Sequence, residues 1–479
     1  MSTRKNTLYN MAYRLFSMLL PLVTAPWLSR AVGTEGVGLY GYVWAISYTF
    51  CLVGLLGLEN YGPRAIARVK DDQHALDRTF SAIWKMQLLV AGLTLLTWGG
   101  YVTFVAGEEK QIAFHLTLMS VSCLVNVDWC LMGLDQFKPI ALRNTIVKLL
   151  AAAAVFIFVH KPDDLWIYAF AWSLSTFVGC LSCFLSLRGK VRFVPTSWKE
   201  ALIHLKPCAV LSISVIAVSV YRQMSKVMIG ALSDMHQTGL YENADKIILC
   251  LAGFISAIGT VMLPKISHMT AKGLMDDVKK HIDASMDMVM CMVCALGFGL
   301  ASIAVEFAPL FYGEDFAESG LLMIPLAMTL LTIGFANVIR TQWVLPQKRD
   351  DIFVKSVLTG AAVNILLNAV LIPSMGAMGA VVATLAAELS VPVVQFIILR
   401  KELPFLRYVK YAATYSVIGL VMCGVVRVAA LLPIGGWMGL AVQVAAGGIA
   451  YVVLCLVWWK ITRNRHILGI LGKKTKSAK

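Results

Sequence analysis

Apolar residues in this sequence fall into about fourteen blocks of some twenty residues each, and that pattern fixes the class of fold before any motif is read. Twenty apolar residues wound as an α-helix cross roughly 30 Å of hydrocarbon, where a helix satisfies its own backbone hydrogen bonds. The blocks run over about 8–30, 36–58, 80–105, 111–133, 144–160, 165–187, 209–232, 239–263, 284–307, 319–340, 353–373, 377–399, 410–432 and 437–459. Hydrophobic residues make up 58% of the 479 and charged residues only 14%, with a mean hydropathy of +0.74. A soluble chain carries about 25% charged residues. The expected fold is an all-α polytopic membrane protein of about 14 transmembrane helices.

A net charge of +15 would suggest nucleic acid in a soluble protein. Here its placement is the informative feature, and no nucleic-acid partner is expected. With the N-terminus inside, the inner segments hold 32 Lys and Arg, while the outer ones hold only Arg30, Lys110 and Lys161. That split follows the positive-inside rule, and one miscounted span would scramble it. Both termini are therefore expected in the cytoplasm, in a multi-pass arrangement in a bacterial inner membrane. The first span is too long for a cleavable leader, and Ser29-Arg30-Ala31 lacks a small-x-small site.

No loop exceeds about twenty residues, so neither face has room for a soluble catalytic domain. No enzyme is expected. Gly38-Leu39-Tyr40 opens the second span and Gly239-Leu240-Tyr241 the eighth; Pro63-Arg64 and Pro264-Lys265 recur in the same register. A shared offset at equivalent points of the hydropathy profile indicates duplication. Six spans separate the copies, so the two halves have the same orientation, an arrangement that places a substrate path between two bundles. The expected division is an N-terminal six-helix bundle over 1–205, a second over 206–400, and spans thirteen and fourteen with a basic cytoplasmic tail over 401–479. The 11 cysteines lie almost all in apolar spans; Cys180/Cys183 and Cys291/Cys294 have CxxC spacing without nearby histidines, which indicates packing rather than a metal site.

Several stretches carry a family likeness. Pro21-Leu22-Val23-Thr24-Ala25-Pro26-Trp27-Leu28-Ser29-Arg30, then Gly33-Thr34-Glu35-Gly36-Val37-Gly38-Leu39-Tyr40 and Gly57-Leu58-Glu59-Asn60-Tyr61-Gly62-Pro63-Arg64, open the chain. Asp128-Trp129 with Gly133-Leu134-Asp135-Gln136-Phe137-Lys138 ends span four, and Asn364 to Asn368, Ile372-Pro373, Gly376 to Ala380 and Glu388 mark spans eleven and twelve. In this order they resemble the bacterial oligosaccharide repeat-unit flippases of O-antigen and capsular type. These belong to the multidrug/oligosaccharidyl-lipid/polysaccharide exporter superfamily. Ser225 stands before Lys226 where the family often has an acid, and Met132 where a Gln is usual.

The resemblance implies two bundles around a central cavity that opens alternately to each side. It implies an undecaprenyl-diphosphate-linked glycan as substrate, contact with membrane lipid, a complex with a polysaccharide polymerase, and no cofactor beyond coupling to a proton or cation. A cation-coupled multidrug exporter and a peptidoglycan lipid-precursor flippase share the superfamily. No ATPase motif is present, which leaves a gradient or product consumption to drive transport.

Embedded charges are the candidate site, because a charge at mid-bilayer costs about 2.5–3.5 kcal/mol unless it has a partner or water. Arg222 and Lys226, at i and i+4 near the middle of span seven, share a face, with Tyr221 beside them. Arg14 in span one and Lys246 in span eight join them as substrate-binding candidates, while Glu242 and Asp245 are candidates for a coupling site or charge network. Two readings stand side by side. The acids neutralise the cations in a structural network, or the cations form a wall for a diphosphate. Arg30, Arg64 and Asp128 are read as gate or loop-pairing residues. Lys85, Lys148 and Arg427 lie near span ends and are expected to snorkel. Glu306 and Glu388 are embedded acids to which the sequence assigns no partner. No residue is expected to be catalytic and none to bind metal.

Overall fold

Glycines and capping side chains punctuate the helices at places that hydropathy alone does not mark. The computed structural model describes residues 3–462, apart from the side chains of 3–18, 137–139, 213–215, 217, 220, 221 and 261. Among the described residues every regular element is helical. The chain divides into two compact units, Met1–Gly239 and Leu240–Lys479.

In the first unit, α1 (Thr3–Leu55) carries two spans, because Gly33 breaks it with φ 69° and ψ −174°. That left-handed conformation is readily open only to glycine. Gly57, at φ 69°, starts the short α2 (Leu58–Ala67). Helix α3 (Gln73–Gly100) begins where the Asp72 carboxylate accepts from the amides of His74 and Ala75, at 2.9 and 3.2 Å. Then follow α4 (Lys110–Val125), α5 (Asp128–Gly133), α6 (Phe137–Phe158), α7 (Leu165–Leu185), α8 (Trp198–Ile203) and α9 (Leu205–Leu232). Span four breaks between α4 and α5, and Gln87 of α3 closes the break. Its Nε2 donates to the carbonyls of Cys123 and Asn126, each at 2.7 Å, and its Oε1 accepts from Trp129 Nε1 at 2.9 Å. Trp129, Phe80, Ile83 and Met86 fill the core there.

The second unit starts inside α10 (Met235–Ala271) and continues through α11 (Met275–Tyr312), α12 (Ala317–Ile339), α13 (Asp350–Met375), α14 (Ala377–Leu399), α15 (Phe405–Ala429) and α16 (Gly436–Ile461). Its centre is α11, which packs on α12, α15 and α16, while α13 packs on α14. With 38 residues α11 is about 57 Å long, so it extends beyond any hydrocarbon core.

Counting α1 twice and leaving out α2, α5 and α8, the fourteen expected spans are present. Among the described residues twelve stretches are long and apolar enough to cross a membrane, the first of them running from Leu19 to Ala67. Helix α9, the seventh span, falls in the first unit, one span later than the boundary read from the sequence at 206. It packs along α1, where Gly230 fits against the Tyr42 ring, and against the start of α2, where Gly57 fits against Cys208 O and Ser212 N.

Candidate functional site

The charges on α9 differ sharply in exposure. Lys226 is 3% exposed and Ser225 2%, whereas Arg222, one turn earlier, is exposed. Helix α9 is 28 residues long and Arg222 is its eighteenth. A guanidinium at that depth is stable only against water or a fixed counter-charge. Tyr48 of α1 lies within the field of Arg222 and within hydrogen-bonding reach of Ser219. The side chains of Arg14 and Tyr221 lie outside those described.

On α10, in the second unit, Glu242 and Lys246 pair across one helical turn at 3.6 Å, and Lys246 Nζ also donates to Asn243 Oδ1 at 3.3 Å. Asp245 is 9% exposed. The surrounding backbone is held by neutral groups: Tyr312 Oη donates to Asn243 O at 3.0 Å, Ser319 Oγ to Leu240 O at 3.0 Å, and Tyr241 Oη meets Thr384 Oγ1 at 2.9 Å. Lys246 therefore has an acid and an amide beside it. Nearby in sequence to Glu388, the motif residues Asn364 and Asn368 are buried and bonded to each other at 2.9 Å.

The residues read as gate or loop partners have separate surroundings. Arg30 is exposed and donates to Pro26 O at 3.2 Å. Arg64 is exposed on α2. Asp128 opens α5 and pairs with Arg143 of α6 at 3.7 Å; Arg143 also meets Asn144 Oδ1, at 2.7 Å, and Cys183 Sγ. Arg427 and Glu306, left without partners by the sequence, pair with each other at 2.6 Å between α15 and α11. Lys85 does not snorkel freely. Its Nζ donates to Thr196 O at 2.7 Å and sits 4.3 Å over the Trp198 ring.

One polar cluster escaped the sequence reading. Asp283 and Asp287 of α11 are 7% and 2% exposed. Tyr411 Oη donates to Asp283 at 3.2 Å and Tyr415 Oη to Asp287 at 2.6 Å, while Trp459 Nε1 of α16 donates to Tyr415 Oη at 2.9 Å. Arg407 adds a 3.5 Å ion pair to Asp283. The signal was present as two acids at i and i+4 facing tyrosines at i and i+4 on another span. It ties α15 and α16 to the second unit.

Comparison with known proteins places this arrangement. The profile described as "Polysaccharide biosynthesis protein" matches residues 3–270, more than half of the chain. The chain belongs to that family. Two relatives of this family member, each described as "Putative O-antigen transporter", come from Shigella dysenteriae and Escherichia coli (strain K12). The first is 23% identical over 391 residues, covering 80% of this chain and 97% of the relative; the second is 23% identical over 397 residues, covering 81% and 94%. Among solved structures, "Lipid II flippase MurJ, inward closed conformation" is similar with a TM-score of 0.75 at 16% identity, over 96% of this chain and all of that one. At such identity the likeness concerns the fold. The polysaccharide biosynthesis family and this fold agree with the superfamily resemblance carried by the N-terminal motifs.

Proposed function

We propose that this protein is a flippase that moves undecaprenyl-diphosphate-linked oligosaccharide repeat units across the bacterial cytoplasmic membrane by alternating access. The observation that carries this reading is the exposed Arg222 at mid-length of α9. An arginine facing lipid at that depth is costly, so its neighbour is a water-filled space. A guanidinium in such a space is a strong partner for a diphosphate, because its planar fork matches phosphate oxygens bidentately. The names of the two relatives, each an O-antigen transporter, support a surface-glycan substrate. In this reading Arg222 contacts the diphosphate, and buried Lys226 adds positive field from one turn away. Arg14, on the same unit, is a further contributor. Glu242 and Asp245 form the site where a proton or cation couples to transport. Both termini lie in the cytoplasm.

The test is export of surface polysaccharide in a strain lacking its native flippase. Arg222→Ala should insert normally and export strongly less, while full export by Arg222→Ala at normal membrane levels would remove the basis of the reading.

A further inference from the structure

Residues 188–197, between α7 and α8, form no regular element, yet they are fastened to α3 at every second residue. Gln73 Nε2 donates to Lys190 O at 3.0 Å, Asp77 Oδ1 accepts from Arg192 N at 2.8 Å, Ser81 Oγ accepts from Val194 N at 3.0 Å, and Lys85 Nζ donates to Thr196 O at 2.7 Å. The helix contributes one residue in four and the strap one in two. The spacing works because four residues of helix rise about 6 Å and two of extended chain about 6.7 Å. Four rungs in register make a strap whose shape is set before anything binds it.

What the strap, α8 and the first turn of α9 present outward is both apolar and cationic. Phe193 is 54% exposed, Trp198 53%, Leu202 44% and Ile203 68%. Arg188, Arg192, Lys199 and Lys206 are exposed, and their side chains have no ion-pair partner among the described residues. Glu200, the one acid of the segment, is already neutralised by Arg78, which donates to both of its carboxylate oxygens at 3.0 Å. A rigid surface with aromatic and aliphatic side chains beside unpaired cations matches the boundary between acyl chains and anionic headgroups.

We infer that the strap, α8 and the first turn of α9 form a docking surface for anionic phospholipid headgroups. The apolar side chains enter the acyl boundary, and the four cations lie at the level of the phosphates. The ladder fixes the backbone at Arg192 and the Arg78–Glu200 pair fixes α8 at Lys199, so binding there costs little ordering of the chain. This surface lies on the first unit and is independent of Arg222 and of which leaflet the strap faces.

The experiment uses the full chain in nanodiscs of phosphatidylcholine or phosphatidylglycerol with brominated acyl chains. Quenching of Trp198 is read as the difference between the native protein and Trp198→Phe. A second series mixes each brominated lipid with its unlabelled counterpart to give the relative affinity. Phosphatidylglycerol should be preferred at low salt, and the preference should vanish near 1 M salt, where the Debye length is about 3 Å. Each cation removed should lower the relative affinity roughly fivefold, from about 1 kcal/mol per basic residue at an anionic surface. The combined R188Q/R192Q/K199Q/K206Q variant should show no preference, and Lys199→Gln alone with the salt series decides if that variant does not fold. Equal affinity of the native protein for the two lipids, or a preference untouched by Lys199→Gln and by salt, would overturn the inference.

Discussion

Arg222 and Lys226 are one helical turn apart, and their difference in exposure separates what their substitution should do. Arg222 is exposed, so Arg222→Ala removes a charge-assisted contact without opening the core. Export should fall roughly ten- to a hundredfold, for an interaction of about 1.5–3 kcal/mol, at unchanged membrane levels. Arg222→Lys should keep part of the function if charge alone is needed, and little if the bidentate grip is. Lys226 is buried. Lys226→Ala should therefore lower the yield of folded protein as well as export, as quantified by size-exclusion chromatography. The sequence placed both on one helix face but could not order them by depth, because exposure is decided by how α9 lies against α1. Lys85 shows the same limit: its distance from the span end suggested a free ammonium, whereas the Thr196 carbonyl and Trp198 ring occupy it. His204 offers a pH test. Its imidazole meets Tyr61 Oη at 2.6 Å, and burial holds it below the ordinary value of 6.5. The folded ring stays neutral where the unfolded one takes a proton. Thermal stability should thus fall as pH drops below about 6.5, until the folded ring protonates too, and His204→Gln should flatten that part of the profile.

Among elements, the closest approach in the first unit is the crossing of α1 with the first turn of α10. A Cβ on Gly38 would lie 1.8 Å from the Met235 carbonyl oxygen, and one on Gly239 would lie 2.0 Å from that of Thr34. The contact is reciprocal under the repeat offset, since Gly38 pairs with Gly239 as Thr34 does with Met235. Gly38→Ala must push the helices apart and should cost at least 1–3 kcal/mol, about the penalty of overpacking a core, seen as a lower unfolding midpoint in detergent. The Gly-Leu-Tyr motif was legible in the sequence as a repeat, but the partner of each glycine was not. Short helices were illegible for a related reason. Helices α5 and α8 have six residues each, too few for a helical period to show, and they are held by side chains distant in sequence, Gln87 and Arg78. The rail of α11, α15 and α16 likewise needs three helices at once. Tyr415→Phe there removes the 2.6 Å hydrogen bond to Asp287 and should destabilise the protein by about 1–3 kcal/mol.

For the whole molecule, the number of spans was legible because each apolar block is long and the cations between blocks alternate from side to side. The direction of the helices provides an independent check on that number. Contacts between α11 and α15 advance together along both, from Asp283 with Tyr411, through Cys294 with Ser416, to Glu306 with Arg427. The two helices are therefore parallel, as spans nine and thirteen must be when three spans intervene. An odd number of intervening spans is what parallel neighbours require, so this part of the count does not rest on charge. Which side is inside does rest on charge, and it has consequences for the strap and for Arg427. With the basic segments inside, the 188–208 stretch, with Lys85 beneath it, faces the cytoplasm. The Arg427–Glu306 pair then lies toward the outer face. Periplasmic reporter fusions after Gly107 and Gly313 should be active, and one at Lys199 should be silent. Activity at Lys199 with silence at Gly107 would invert the orientation and leave the fold intact. Activity at all three sites would break the alternation itself, because three points on one side require an even number of spans both between Gly107 and Lys199 and between Lys199 and Gly313, where three lie in each case; the parallel arrangement of α11 and α15 would be untouched.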